Sequence, residues 1–466
     1  MPSDSDQPQP KDLFKYFGIA GQDIPRFDAR LPLPRSVEPP LRLLVNGGLA
    51  KIPIASAGPL ELLGIVGVST LVKKLQSPFA MPANFTRCRP DKFSDEFFVE
   101  RRLNGFNPGQ MRQVKDQPWQ YVICYDIREY NFKFDKPGTI FPRVIEARFV
   151  LKEQSLQIHS IEYELVPGVK SLKSPIDALP EWEWAKQLFR CAEIVFQETQ
   201  SHLGQAHLNV EQYAMSYYRN IVNNPIKLLL EPHFTGVLYI NKLGAADIFG
   251  PTGILPQNSA LYTDEVEALI HAKIKTLNYH QWHPRLQTMP DVVANNFFDR
   301  AAIAAWEVIT EYVTEFFAQQ GSEIQRLWPE IAAMSADLVQ HSILDENYGT
   351  LEIVNIDDLR ALCIYVIYHG SFIHSWLNYK QYDDVGDVEY AVIGLWDETY
   401  DKTTLVQRHI EQVFLAWKLS QIRYNPIMGE TDADSPIAIF RDLLWQRRNE
   451  IVPGIPLELV MGSIHV

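Results

Sequence analysis

Basic charge is in short supply in this chain: 43 Lys and Arg stand against 57 Asp and Glu, a formal charge of −14. A basic face for nucleic acid is therefore not expected, nor is strong attraction to anionic lipid from net charge alone. Cysteine is scarce too. Cys88, Cys124, Cys191 and Cys363 are widely spaced, form no C-x-x-C pair and lie in apolar or mixed surroundings. A disulfide framework and a zinc ribbon are both unsupported, and small buried thiols in a reducing compartment are the expectation. No apolar run approaches the roughly 20 residues that span a bilayer. The most apolar stretch, 60–72 (LELLGIVGVSTLV), is well short of that length and carries Glu61; it reads as a helix buried in the core or lying at a membrane interface. The opening residues 1–11 are polar and rich in Pro, Asp and Ser, unlike a secretory signal. A cytoplasmic protein is expected, with peripheral membrane contact through the apolar helical segment.

What is present points to one large core. The 466 residues are 46% hydrophobic and 12% aromatic, ample for extensive burial. Residues 1–40 hold many prolines and little periodicity, and read as an extended or partly mobile arm. Residues 41–85 read as a helical segment. The remainder, 86–466, begins with short β-type runs: Tyr121 to Tyr125 (YVICY), Ala147 to Leu151 (ARFVL) and Ile158 to Leu165 (IHSIEYEL). Long helical patterns follow, with apolar residues three and four apart over 182–202, 210–222, 264–275, 297–319, 356–379 and 404–421. No internal repeat or low-complexity run is found. The fold expected is mainly α, one large helical domain preceded by a small β subdomain.

Three features could serve a metal. His202 and His207 lie five apart within ETQSHLGQAHLNVEQY. In a regular α-helix such residues point about 140° apart and cannot share an ion. A π-bulge would bring them onto one face, and such bulges concentrate at functional sites; a pair of surface or capping histidines is the plainer alternative. His374 and Asn378, in SFIHSWLNYKQY, are four apart and so adjacent on a helix, where imidazole and amide oxygen can serve one metal. The sequence ends in GSIHV, an apolar tail with a free carboxylate. Neutral imidazoles plus one carboxylate and an open position suit redox-active iron better than calcium or a closed zinc site.

The run SHLGQAHLNVEQYAMSYYRNIVNNPIKLLLEPHFTGVLYIN, over 201–241, resembles the lipoxygenase signature. It has a His-x4-His pair, then an Arg, a Pro-Ile-x-x-Leu-Leu stretch, Pro-His and Ile-Asn. DEFFVERRLNGFNP, SFIHSWLNYKQY and the terminal GIPLELVMGSIHV are similar to lipoxygenase blocks as well, in the family's order. The resemblance implies the lipoxygenase catalytic domain over 86–466. It also implies His202, His207 and His374 as metal ligands, Asn378 as a weaker one and the terminal carboxylate of Val466 as the anionic one. The family usually ends in Ile. Valine also ends fungal manganese lipoxygenases, but these typically space their first pair His-x3-His, so iron is expected over manganese. His369, His280, His283 and His233 are read as structural. Glu198 and Gln381 stand where the family places a polar link beside the metal and the substrate channel.

The implied activity is non-haem iron dioxygenation of polyunsaturated fatty acids. A hydrogen atom leaves the doubly allylic CH2 of a cis,cis-1,4-diene, and O2 adds on the face opposite the metal. Gly244 matches a position usually Ala in S-specific and Gly in R-specific enzymes, which implies an R hydroperoxide. Ile248 and Leu255 match apolar positions that bracket the diene. The first 85 or so residues lack the alternating strands of the N-terminal β-sandwich that many plant and animal members carry, as in compact bacterial forms. The alternatives are a fatty acid hydroperoxide isomerase (epoxyalcohol synthase) on the same scaffold, or a lipid-binding protein without catalysis. Polar ligands converging in an apolar core argue against the latter, since burying them without a metal is costly.

Overall fold

Alternation along the early strands builds the small sheet. In the computed structural model, which describes residues 9–37, 89–287, 289, 293–421 and 435–460, β1 (Arg112–Val114), β2 (Gln117–Asp126), β4 (Val144–Lys152), β5 (Ser155–Val166) and β6 (Val169–Lys173) form one antiparallel sheet in the order β1-β2-β4-β5-β6. Two short strands, β3 (Thr139–Ile140) and β7 (Leu395–Trp396), pair separately. Register aligns Tyr121 with Phe149, Ile123 with Ala147 and Tyr125 with Ile145, and then Ala147 with Ile161. All of these side chains are buried, because residues two apart share a face. That face packs on the helix Leu179–Phe196, where Leu188, Phe189, Ala192 and Val195 are fully buried.

This helix does not stop at Phe196. It continues through a π-helical stretch, Gln197–Leu208, into a further α-helix, Asn209–Asn220. The patterns expected over 182–202 and 210–222 are thus parts of a single rod. Leu203 and Leu208 face the sheet-side core, whereas Ala206 and Val210 belong to a second core among the later helices. The π stretch therefore lies at the seam between the two. Helix Thr263–Ile274 runs against it. Gly204 permits that approach: a Cβ there would lie 3.0 Å from the Thr199 carbonyl oxygen and 3.1 Å from Lys273 Cβ. The pattern over 356–379 is likewise broken, into Ile356–Tyr368, a π turn His369–Ile373 and His374–Val385. Helix Phe297–Arg326 is longer than its pattern. Periodicity does not mark helices Trp328–His341 and Pro436–Gln446, although Pro329 and Ser435-Pro436 are helix-start signals.

Two expectations need correction. The arm is neither extended nor loose over 9–37: Phe14, Ile24 and Phe27 are buried in the two cores, Tyr16 bridges Phe27, and Arg219 Nη1 donates to the Phe14 carbonyl. Apolar anchors between the prolines outweigh the prolines' preference for open chain. Cys124 is exposed, on an outward position of β2, while Cys191 and Cys363 are buried thiols as expected. The apolar stretch 60–72 and the 41–85 segment lie outside the described residues. Among the described residues no helix is long and apolar enough to cross a membrane.

A helix in the region read as mixed, Asp95–Asn104, braces the whole arrangement. Ser94 caps it by accepting from Phe97 N. Its Arg101 Nε donates to Asp384 at 3.0 Å, on the helix His374–Val385, and Arg102 Nη2 lies 2.7 Å from Glu193, on Leu179–Phe196. Just past its end the Gly105 carbonyl accepts from Trp376 Nε1 at 2.9 Å. One short helix thus fixes two long ones relative to each other through buried ion pairs. Burial pushes the Glu193 carboxyl up to about 7, against the pull of Arg102. Removing one member of a buried pair costs about 3 kcal/mol or more. Arg102→Ala is accordingly expected to lower unfolding free energy by about that amount in urea titrations, and a loss below about 1 kcal/mol, no more than an exposed pair gives, would remove this brace from the account.

Candidate metal centre

Sequence spacing explains how the three histidines meet. The π stretch Gln197–Leu208 carries His202 and His207 on one face, as i→i+5 bonding requires. His374 opens the helix that follows the π turn His369–Ile373. All three are buried, and their rings close on one another with centroids 4.6 to 5.5 Å apart. His207 Nε2 lies 3.2 Å from His202 Nε2 and 3.1 Å from His374 Nε2. Among the described residues, these three form the cluster of His, Cys, Asp or Glu able to share an ion.

The outer nitrogens settle where the protons are. His202 Nδ1 lies 3.2 Å from Glu198 Oε2, and His207 Nδ1 lies 2.7 Å from Asn241 Oδ1. Both partners are acceptors, so both Nδ1 atoms carry hydrogen, and a neutral ring then presents its Nε2 as a bare lone pair. Burial, then the neighbouring His202, hold His207 well below the usual imidazole range, so it stays neutral. Two such lone pairs at 3.2 Å repel unless a proton or a metal cation lies between them. Two nitrogens bound about 2.1 Å from one ion at a right angle would sit about 3 Å apart. The donor set fits a metal.

Asn378 lies one turn beyond His374. Its Oδ1 accepts from Gln381 Nε2 at 3.3 Å, and its buried Nδ2 has no partner among the described residues. Glu198 and Gln381 both line the pocket beside His202, but they are not joined to each other. Glu198 holds His202, whereas Gln381 Oε1 accepts from Gln197 Nε2 at 3.3 Å. Gln381 is thus joined to Gln197, the residue before Glu198, rather than to Glu198 itself. Val466 lies outside the described residues.

The pocket itself is mostly apolar. Ile194, Ile248, Leu255, Val385, Ile393 and Leu415 line it, with His202 at one wall. Gly244, on helix Val237–Asp247, stands next to Ile248: a Cβ there would meet Ile248 Cδ1 at 3.9 Å and Phe249 Cε1 at 4.0 Å, ordinary contacts.

The remaining histidines have other partners. His369 Nδ1 donates to the Tyr365 carbonyl at 2.8 Å, and its Nε2 lies 3.3 Å from Gln205 Nε2. His233 Nδ1 is 3.0 Å from Ser371 Oγ. His280 lies 3.1 Å from the Glu352 carbonyl oxygen, and His283 caps a short 3-10 turn by accepting from Arg285 N. Sequence reasoning gave Asn241 and Glu211 no role; Asn241 Nδ2 donates to Glu211 Oε2 at 2.7 Å behind His207. They lie 30 residues apart, on different helices, with no spacing signal to pair them.

Comparison with known proteins agrees with this geometry. No family model matches the chain. It is 31% identical to a linolenate 9R-lipoxygenase of Nostoc over 386 residues, 81% of this chain and 47% of that protein. It is 26% identical to a polyunsaturated fatty acid lipoxygenase of Mus musculus over 53% of this chain and 42% of that one. The chain spans about half the length of the curated relatives it matches. A 9R-lipoxygenase from Cyanothece shares its fold with a TM-score of 0.80 at 23% identity, covering 97% of this chain and 76% of that chain. A coral 8R-lipoxygenase does so with a TM-score of 0.80 at 17% identity, covering 98% and 80%. With its histidines gathered at the seam and relatives of one kind in both sequence and fold, the chain belongs to the lipoxygenase family and carries the lipoxygenase catalytic-domain fold.

Proposed function

We propose that this protein is a non-haem iron dioxygenase that adds O2 to a polyunsaturated fatty acid with a cis,cis-1,4-diene, giving a hydroperoxide of R configuration. The observation that carries the reading is the gathering of His202, His207 and His374, with Nε2 atoms 3.1 and 3.2 Å apart, beside an apolar pocket. His202, His207 and His374 would hold the metal, with Asn378 as a weaker ligand and the carboxylate of Val466 as the anionic one. Iron, when bound, supplies the one-electron chemistry that takes a hydrogen atom from the doubly allylic carbon. Nitrogen and oxygen donors of this kind favour it, and manganese is the second choice.

The side chains contribute placement. Ile194, Ile248, Leu255 and Ile393 offer an apolar wall that seats the diene and excludes water, which holds the reacting carbon near His202 and protects the radical. That carbon gives up hydrogen readily because the resulting radical spreads over five carbons. Glu198 orients His202 from the pocket side. Gly244 leaves a methyl-sized space beside Ile248, where O2 can reach one end of the radical. The Nostoc, Cyanothece and coral relatives are 9R-, 9R- and 8R-lipoxygenases, which supports the R outcome. A cytoplasmic site of action, with membrane contact through 41–85, belongs to the same proposal, since fatty acids partition into membranes.

Linoleate in air should give oxygen uptake with a rise in conjugated-diene absorbance, and the purified chain should take up one iron. His374→Ala is expected to abolish both; retained turnover would refute the assignment, and hydroperoxide consumption without oxygen uptake would identify an isomerase instead. Gly244→Ala introduces no clash, so stability should hold while chiral chromatography shows product moving towards S configuration at a different carbon. An unchanged enantiomer at the same carbon would dismiss the role of Gly244.

A further inference from the structure

One carboxylate reaches the histidine cluster through a single amide. Glu211 lies one turn past His207 and is 2% exposed. Its Oε1 accepts the backbone N–H of Phe27 at 2.8 Å, and its Oε2 accepts Asn241 Nδ2 at 2.7 Å. The same Nδ2 donates to the His207 carbonyl at 3.2 Å, and Asn241 Oδ1 faces His207 Nδ1 at 2.7 Å. Burial pushes the Glu211 carboxyl up to about 7, with the Phe27 and Asn241 N–H groups pulling it back.

An asparagine amide can present either end, and its neighbours decide which. In its ionised form, which the Phe27 and Asn241 N–H groups favour, the Glu211 carboxylate accepts only, so Asn241 must turn its NH2 towards it. Its oxygen is then left for His207, and it too can only accept. His207 must therefore carry its proton on Nδ1, which leaves Nε2 as the lone pair a metal requires. The order of donors and acceptors starts at a peptide N–H of the N-terminal arm, which has no other choice. We infer that Glu211, anchored by Phe27, is a positioning residue that sets the tautomer of His207 through Asn241. The inference rests on the reading of His207 as a metal ligand.

Glu211→Gln keeps nearly the same shape and gives a group that is easier to bury, but it breaks the order. The oxygen of the new amide takes the Phe27 N–H, and its NH2 then faces the NH2 of Asn241. Asn241 has to turn over. Its NH2 now meets His207 Nδ1, which must become an acceptor, and the proton moves to Nε2. Adding Asn241→Asp restores the sequence: the new amide at position 211 donates its NH2 to one oxygen of the new carboxylate, and His207 Nδ1–H donates to the other.

The test compares the unaltered chain, Glu211→Gln and the double variant Glu211→Gln/Asn241→Asp. Ferrous-ion affinity is measured anaerobically by chelator competition, and imidazole 15N shifts are measured without metal, His207 being assigned by its loss in His207→Gln. Glu211→Gln should bind iron at least about tenfold more weakly, with Tm changed by only a few degrees and the His207 signal moved from the Nδ1–H to the Nε2–H form. The double variant should regain most of that affinity and the original tautomer. Unchanged affinity and tautomer in Glu211→Gln would overturn the inference, and so would a loss that the double variant does not repair, which would mark Glu211 as packing only. Should the unaltered chain take up no iron, the metal reading fails, while the 15N comparison still decides whether Glu211 sets the tautomer.

Discussion

Everything at this centre depends on a departure from the regular helix. Residues five apart on an α-helix diverge by about 140°; over Gln197–Leu208 the wider π turn cancels that divergence and sets His202 and His207 face to face. A π segment is rarely found in long runs, so its neighbours must hold it. The sheet-side core takes Leu203 and Leu208, the helical core takes Ala206, and helix Thr263–Ile274 closes against Gly204. The π stretch survives because packing on three sides leaves it no room to relax.

The same logic explains the brace formed by Asp95–Asn104. Three histidine side chains on two rods converge only if the rods keep their relative position, and apolar packing alone tolerates small slides. Directional contacts do not. Arg101 to Asp384, Arg102 to Glu193 and Trp376 to the Gly105 carbonyl tie both rods to one short helix. A buried ion pair adds little net stability once desolvation is counted, and here what it secures is precision of placement.

Much of this was legible in the sequence, where the physics is local. The His-x4-His spacing called for a π turn if the pair was to share an ion, His374 and Asn378 fell on one helical face, and alternation in YVICY, ARFVL and IHSIEYEL marked β2, β4 and β5. The three clustered histidines could be chosen in advance because the surrounding motif resembled a known one. His369 and His374 repeat the five-residue spacing and flank the second π turn, yet His369 turns to Tyr365 and Gln205, a choice made by packing that no spacing reveals. The partners that are far apart in sequence stayed hidden: Asn241 and Glu211, Gln197 and Gln381, Arg102 and Glu193. So did the docking of the arm, although Phe14, Ile24 and Phe27 among the prolines were its readable sign.

The placement of carboxylates completes the argument for a cation. A divalent ion buried among neutral imidazoles alone would carry its full charge into a poorly solvated interior. Glu198 sits behind His202 directly, and Glu211 sits behind His207 through Asn241. An ion held as proposed would thus have a carboxyl group behind two of its imidazoles, one in direct contact with His202 and the other reaching His207 through an amide. A carboxylate behind an imidazole also makes it a stronger donor. Glu198 opens on the pocket and Glu211 is sealed in the core, so one carboxyl group stands at the pocket wall while the other is tied to the fold.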